Sequence, residues 1–229
     1  MRLDKYLSKY LNLSRKDLKK YMKNHTVKIN DKNISDLSIN VSFNDSIYLD
    51  NELIEYSEYI YLMMNKPSGF VCSTSNIDGI SVLSLLPSKI NKKELSIVGR
   101  LDKDTKGLLL LTNDGTFLHN VTSPKKNITK TYYVEFSGTI SSIYKKVELS
   151  GIQFKDYTTK PFEIYDLCEN SLYIKVTEGK FHEVKKIIHY LGGEVTLLKR
   201  VQIGSLSLND LKEGEIRLLS EDELREIGL

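Results

Sequence analysis

The feature that most constrains this 229-residue sequence is a charged loop that runs directly into a block of leucines. Residues 99–107 read GRLDKDTKG, and residues 108–111 are all leucine. An uninterrupted apolar run bounded by turn residues predicts a short, fully buried strand, and the Asn-Asp-Gly at 113–115 predicts a turn after it. A buried strand can fix a reactive group carried by the adjoining loop. The alternative is a solvated loop whose charges pair with one another.

Charge is distributed unevenly along the N-terminal part of the chain. Residues 1–32 contain ten Lys and Arg against three Asp, a net charge of +7, although the whole chain carries only +3. Residues 33–58 contain six acidic residues and no Lys or Arg. A one-signed cluster of this kind favours a polyanionic partner for the N-terminal segment over an ordinary solvated lysine surface.

The two cysteines, Cys72 and Cys168, have no metal-binding spacing, so we expect reduced thiols and a cytoplasmic location. The N-terminus is charged from its second residue and lacks the apolar stretch of a secretory signal. No apolar run approaches the ~18 residues of a membrane-spanning helix, and no membrane partner is expected.

Residues 1–55 are predicted to form a small separate domain, residues 56–60 a linker, and residues 61–229 a larger domain. The first domain should begin with two helices. Apolar residues fall on one face of the first, and Ser14 is placed to cap the second. The apolar residues of the first helix are Leu3, Tyr6, Leu7, Tyr10 and Leu11.

Three further segments of the larger domain are informative. Residues 59–64 predict a strand that ends at Asn65-Lys66-Pro67, and residues 130–136 predict a strand rich in aromatics. A helix from about 181 to 191 would place four apolar residues on one face, with Lys185 at its edge. A lysine there either extends to solvent or meets a carboxylate. Lys199 and Arg200 are expected to add positive surface.

These strings resemble known motifs. GRLDKDTKGLLLLTNDG, NKPSG, KTY and EGKFHEVK occur in the order found in pseudouridine synthases. The resemblance is closest to the branch that modifies ribosomal RNA and carries an N-terminal S4 RNA-binding domain, the RsuA type. The S4 similarity runs from residues 1–5 through Ser14-Arg15-Lys16 to the VKIN string at 27–30.

The resemblance implies three catalytic residues. Asp102 matches the family's nucleophile, and Tyr132 matches the tyrosine that lies against the target base. Lys185 matches the basic residue that pairs with the aspartate. A carboxylate that stays ionised in a dry pocket needs a cation within about 4–6 Å, which Lys185 or Arg100 could supply. The sequence departs from the family at Lys180, where Arg is usual, and at Glu183, where Gln is usual.

Further residues are predicted to contact RNA. Arg100 could fill the space left by a flipped uridine, or could instead pair with a neighbouring aspartate. Lys66 is placed near the site, mainly as a structural residue, and His182 is a further candidate. The N-terminal candidates share positive charge and are Arg2, Lys5, Arg15, Lys16, Lys19 and Lys20.

The fold implied is α+β: an S4 domain, then a mixed, largely antiparallel sheet with flanking helices. The function implied is isomerisation of a uridine to pseudouridine in small-subunit (16S) ribosomal RNA by a monomeric enzyme without metal or cofactor. Three alternatives stay open. The same reaction could act on large-subunit (23S) RNA, and the chain could be a non-catalytic S4 protein of ribosome assembly. Asp102, Asp104 and Asp114 could also hold a metal that cleaves phosphodiesters.

Overall fold

The chain folds into two compact units, Met1–Glu58 and Tyr59–Leu229, and each is described by itself. The computed structural model describes residues 2–41, 45–54, 59–75, 77–88 and 90–228. The predicted linker at 56–60 lies mostly outside the described residues. Within the described ranges, none of the helices has the length and apolar character needed to cross a membrane.

The first unit contains two helices and a four-stranded antiparallel sheet in the order β2-β1-β3-β4. Its elements are α1 (Leu3–Tyr10), α2 (Arg15–Tyr21), β1 (Val27–Ile29), β2 (Lys32–Ile34), β3 (Ile47–Leu49) and β4 (Glu52–Ile54). The Ser14 hydroxyl accepts a hydrogen bond from the Asp17 N–H and caps α2, as predicted. Leu3, Tyr6 and Leu7 are buried, whereas Tyr10 is 42% exposed and lies outside the predicted apolar face.

The second unit is built on one large sheet. Its strands are β5 (Tyr61–Lys66), β6 (Ser96–Val98), β7 (Lys106–Thr112), β8 (Lys130–Gly138), β9 (Glu163–Tyr165), β10 (Ser171–Val176), β11 (Gly193–Ile203), β12 (Leu206–Ser207) and β13 (Ile216–Leu218). Its helices are α3 (Gly115–Thr122), α4 (Tyr144–Ser150), α5 (Glu183–Tyr190) and α6 (Glu221–Glu226), with 3-10 turns at Val82–Leu85, Lys92–Glu94 and Pro124–Lys126.

Most strands of this sheet pair antiparallel, in the order β13-β5-β7-β11-β8-β10-β9, with β6 on β7 and β12 on β11. Among the described strands, the exception is the central pair β7 and β11, which is parallel. This arrangement confirms the α+β class and the mixed, largely antiparallel sheet.

The leucine run forms the middle of β7, and all four leucines are completely buried. Their alternation places Leu109 and Leu111 in one apolar core and Leu108 and Leu110 in another, on opposite faces of the sheet. The turn predicted after the strand is also the start of α3, because the Asp114 carboxylate caps that helix at the Thr116 N–H. The charged loop therefore leads into a strand that is packed on both faces of the sheet.

Candidate active site

A buried lysine holds the backbone of the charged loop in place. Lys66 ends β5 and is 0% exposed. Its ammonium donates to the carbonyl oxygens of Pro67 at 3.0 Å, Lys103 at 3.2 Å and Thr105 at 2.8 Å. Burial lowers the pKa of Lys66. A mainly structural role for Lys66 stays a prediction, and these three contacts support it. Its place among the RNA-binding candidates was wrong, because a completely buried side chain cannot touch RNA.

A second buried cation closes the loop at both ends. The Arg200 side chain, on β11, is 1% exposed. Its guanidinium donates to the Leu108 carbonyl at 2.8 Å and to the Gly99 carbonyl at 2.8 Å. The prediction that Arg200 adds positive surface was therefore wrong. The guanidinium instead binds two backbone carbonyl oxygens, one on each side of the charged loop. Each of these charge-assisted hydrogen bonds fixes one end of the loop.

Asp102 lies on this braced loop with a lysine and a histidine side chain nearby. Its Oδ2 is 3.5 Å from the Lys185 ammonium and 3.6 Å from the His182 Nε2. The Asp102 side chain is 30% exposed. The structure thus brings together three residues that the sequence placed up to 83 positions apart. Both separations are longer than a good hydrogen bond, so the carboxylate keeps acceptor capacity for another partner.

Asp104 is the closer partner of Lys185. The lysine ammonium donates to both Asp104 oxygens, at 2.7 and 2.8 Å. Partial burial tends to raise the pKa of Asp104, but the hydrogen bond and charge of Lys185 outweigh it and hold that pKa below its usual value. The pairing predicted for Lys185 was therefore incomplete, because this lysine bridges Asp104 and Asp102 and holds the second more loosely.

The helix that carries Lys185 begins at a strained residue. His182 precedes α5 with a φ of +55°, a left-handed conformation that side chains rarely adopt. Its ring stacks on Phe181 at a centroid distance of 3.7 Å, and Phe181 is 72% exposed. Val184, Ile187, Ile188 and Leu191 are buried as predicted. The strained turn aims His182 at Asp102 while the apolar face anchors α5.

A cavity of about 610 Å³ opens beside Asp102. Arg100 and Tyr132 line it together with Asp102, His182 and Lys180. Tyr132 projects from β8 and is 8% exposed. Arg100 is exposed and makes no hydrogen bond or ion pair with any residue that the structure describes. Of the two predictions for Arg100, these observations favour a side chain available at the cavity over one paired with an aspartate.

A smaller cavity of about 60 Å³ adjoins the larger one and shares Arg100, Asp102 and Tyr132 with it. It is also lined by Glu183, which is 5% exposed. Burial, followed by the nearby Glu178 carboxylate, raises the pKa of Glu183 from 4.5 to about 7. The position where the family usually has an amide is therefore a buried carboxyl that is partly protonated at neutral pH.

Glu183→Gln is expected to stabilise the protein at pH 8 but not near pH 4. Because the folded-state pKa of Glu183 is raised, the folded protein binds this proton more tightly, and stability falls as pH rises from about 4.5 to about 7. The shift corresponds to roughly 3 kcal/mol. Urea denaturation at both pH values measures the gain. The exposed Glu169→Gln should show no such difference, and equal behaviour of the two variants would contradict the assignment.

The alternative metal site is not supported by the arrangement of carboxylates. Asp114 caps α3 and accepts a hydrogen bond from the Tyr61 hydroxyl at 2.9 Å, while Asp102 and Asp104 face Lys185. Across the described ranges, no three His, Cys, Asp or Glu side chains form a group that could hold a metal ion.

The N-terminal candidates lie in the first unit. All of them are exposed: Arg2, Lys5, Arg15, Lys16, Lys19 and Lys20. Arg2 is already engaged, because its guanidinium donates to both oxygens of Asp4, at 3.0 and 2.8 Å. Lys16, Lys19 and Lys20 point from α2 to solvent, which is where contact with a polyanion requires them.

Sequence reasoning missed two residues of the site. Arg200 was assigned to the surface, although β11 alternation places it on the same side as the buried Leu198. Glu183 was noted only as a departure from the family motif. Its position next to Val184, at the start of an amphipathic helix, could have indicated burial. Both residues line the smaller cavity.

Comparisons with known proteins agree with this geometry. Residues 60–190 match the family model described as RNA pseudouridylate synthase. That match covers more than half of the chain and contains Asp102, Tyr132 and Lys185. The chain belongs to the RNA pseudouridylate synthase family, and it is an enzyme of the isomerase class.

Relatives match over almost the whole length. The ribosomal small subunit pseudouridine synthase A of Haemophilus influenzae is 35% identical over 231 residues, covering 99% of both chains. A Bacillus subtilis protein described as an uncharacterized RNA pseudouridine synthase is 39% identical, covering 98% of this chain and 97% of its own. A solved pseudouridylate synthase structure superposes with a TM-score of 0.70 at 34% identity, covering 99% of each chain.

Proposed function

We propose that this enzyme converts one uridine of small-subunit ribosomal RNA to pseudouridine, with Asp102 as the reacting carboxylate. The full-length similarity to a small-subunit enzyme supports the substrate class. The observation that carries the mechanism is the position of Asp102, which lines a cavity on a doubly braced loop within 3.6 Å of the Lys185 ammonium and the His182 ring.

The reaction exchanges one bond to the sugar for another. The bond between uracil N1 and C1′ breaks, the uracil turns within the cavity, and C5 bonds to C1′. C5 then loses its proton and N1 gains one, so no cofactor is needed to balance the atoms. An ionised Asp102 serves either as nucleophile at C1′ or as base towards C2′.

The surroundings of Asp102 suit a flipped nucleotide. A uridine that leaves its helix loses its stacking partners, and an aromatic ring can restore about 1–3 kcal/mol of that loss. Tyr132 is an aromatic side chain that lines both cavities together with Asp102. The exposed Arg100 is placed to enter the RNA strand where the base has left.

The first unit is proposed to be an S4 RNA-binding domain that holds the RNA by shape and phosphate contacts. Its exposed lysines on α2 support this role. The enzyme is further proposed to act in the cytoplasm as a monomer.

The substrate is tested by mapping pseudouridines in both ribosomal RNAs from cells with and without this enzyme. Carbodiimide treatment followed by primer extension stops reverse transcription at each pseudouridine. We expect one stop in small-subunit RNA to disappear with the enzyme and to return with the wild-type gene. Loss of a large-subunit stop instead would move the substrate to that RNA. No change in either RNA would contradict ribosomal RNA as the substrate.

The basic helix gives a prediction of its own. Lys19→Gln with Lys20→Gln should reduce RNA affinity and make the slope of log K against log salt shallower by about 2, because each lysine releases roughly one counterion from the RNA. Filter binding between 50 and 300 mM salt measures both quantities. The matched control is Lys145→Gln with Lys146→Gln on α4, which are equally exposed. Equal slopes for the two double variants would argue against α2 as an RNA contact.

A further inference from the structure

Two residues that line the smaller cavity each have a buried polar atom without a hydrogen-bond partner in the described structure. Thr105 and Glu183 line this cavity and are absent from the lining of the larger one. Thr105 Oγ1 and Glu183 Oε2 are buried and make no hydrogen bond within the described structure. Thr105 is 2% exposed and Glu183 is 5% exposed.

Unpaired buried polar atoms are rare in folded proteins because their desolvation is not compensated. Here both residues line a cavity that shares Asp102 and Tyr132 with the larger cavity. A ligand with complementary hydrogen-bonding groups would satisfy both of them when it enters past Asp102.

We propose that Glu183 and Thr105 bind the hydrogen-bonding edge of the uracil that is isomerised. This inference rests on the proposed function, since it assigns a further part of the same site. The uracil edge presents the O2 and O4 acceptors with the N3–H donor between them. Glu183 accepts from N3–H, and the Thr105 hydroxyl donates to a neighbouring carbonyl oxygen. Cytosine presents an acceptor at N3, so an ionised Glu183, which has no proton to donate, disfavours it.

Burial and the Glu178 carboxylate favour the protonated form of Glu183, whereas Lys180 and Lys130 favour the ionised form. Glu178 and Lys180 face it from the turn before α5, Lys130 from β8, and Tyr157 from the loop before β9. A protonated carboxyl offers one acceptor and one donor, as the amide of glutamine does. This equivalence explains how glutamate can occupy a position where the family motif has glutamine.

The test compares kcat and KM of Glu183→Leu, Glu183→Gln and Thr105→Val on the RNA that the wild-type enzyme modifies. We expect Glu183→Leu to lower kcat/KM about 10–100-fold and Glu183→Gln to restore most of it. Thr116→Val on α3 is the control for Thr105→Val. Unchanged kinetics in Glu183→Leu would overturn the inference while leaving the proposed function intact.

Binding of free nucleotides gives a readout that does not depend on catalysis. Calorimetric titration at pH 8, where Glu183 is mostly ionised, should show about fivefold or more tighter binding of UMP than of CMP to the wild type. Glu183→Leu should lose this difference, and thermal melts confirm that it is folded. Equal preference in both proteins would overturn the inference. If UMP is discriminated but no RNA is isomerised, the recognition stands and the proposed function fails.

Discussion

Asp102→Asn is expected to lower the rate of pseudouridine formation by at least about 10³-fold while RNA binding stays within a few-fold of the wild type. The amide keeps the size of the side chain and removes the charge that a nucleophile or base requires. The free energy of unfolding should change little, because the Asp102 carboxylate makes no short hydrogen bond with Lys185 or His182. It lies 3.5 Å from the Lys185 ammonium and 3.6 Å from the His182 ring. Single-turnover assays with excess enzyme separate the chemical step from binding.

The matched control is Asp104→Asn. Asp104 lies two residues away and makes the shorter contacts with Lys185, at 2.7 and 2.8 Å. It does not line either cavity, so we expect its activity to fall less than about tenfold. Equal losses in the two variants would mean that the Lys185 ion-pair network, rather than the Asp102 carboxylate, limits the reaction.

Gly107→Ala is expected to destabilise the protein by about 3–5 kcal/mol. Gly107 has a φ of +105°, and a Cβ there would lie 2.7 Å from the Arg200 backbone nitrogen and closer still to the Arg200 carbonyl oxygen. This is the point where β7 and β11 pair in parallel. Neither backbone can yield, because Arg200 also holds the loop at Gly99 and Leu108. Chemical denaturation measures the loss.

Gly115→Ala provides the comparison. Gly115 begins α3, does not have a positive φ, and a Cβ there would meet no atom within 4 Å. Alanine in a helix is favoured over glycine, so this variant should be neutral or more stable by up to about 1 kcal/mol. A Gly107→Ala protein as stable as Gly115→Ala would show that the tight β7–β11 approach does not hold the catalytic loop.

The sequence was sufficient to predict the parts of the fold that depend on local pattern. Four leucines bounded by charged and turn residues can hardly be anything but a buried strand, and β7 is one. Ser14 caps a helix as its spacing predicts. The family motifs also predicted Asp102, Tyr132 and Lys185 as residues of one site.

What the sequence could not give depends on contacts across the sheet. Lys66 and Arg200 look like surface cations until β5 and β11 are placed beside β7, where loop carbonyls replace their water. The sequence could not show whether Asp102 or Asp104 is the nearer partner of Lys185. The two carboxylates lie two residues apart on one loop, and their distances to the Lys185 ammonium differ by less than an ångström. The burial of Glu183 likewise follows from the cavity that α5, β8 and the loop form together.

The central claim is that the charged loop carries a metal-independent uridine isomerase. Tritium release from small-subunit RNA labelled at uridine C5 tests it most directly, because C5 must lose its hydrogen when it bonds to C1′. With chelator present, we expect the purified wild-type enzyme to release about one tritium per RNA molecule and Asp102→Asn to release none. Equal release by Asp102→Asn, or wild-type release that chelator abolishes, would contradict the account.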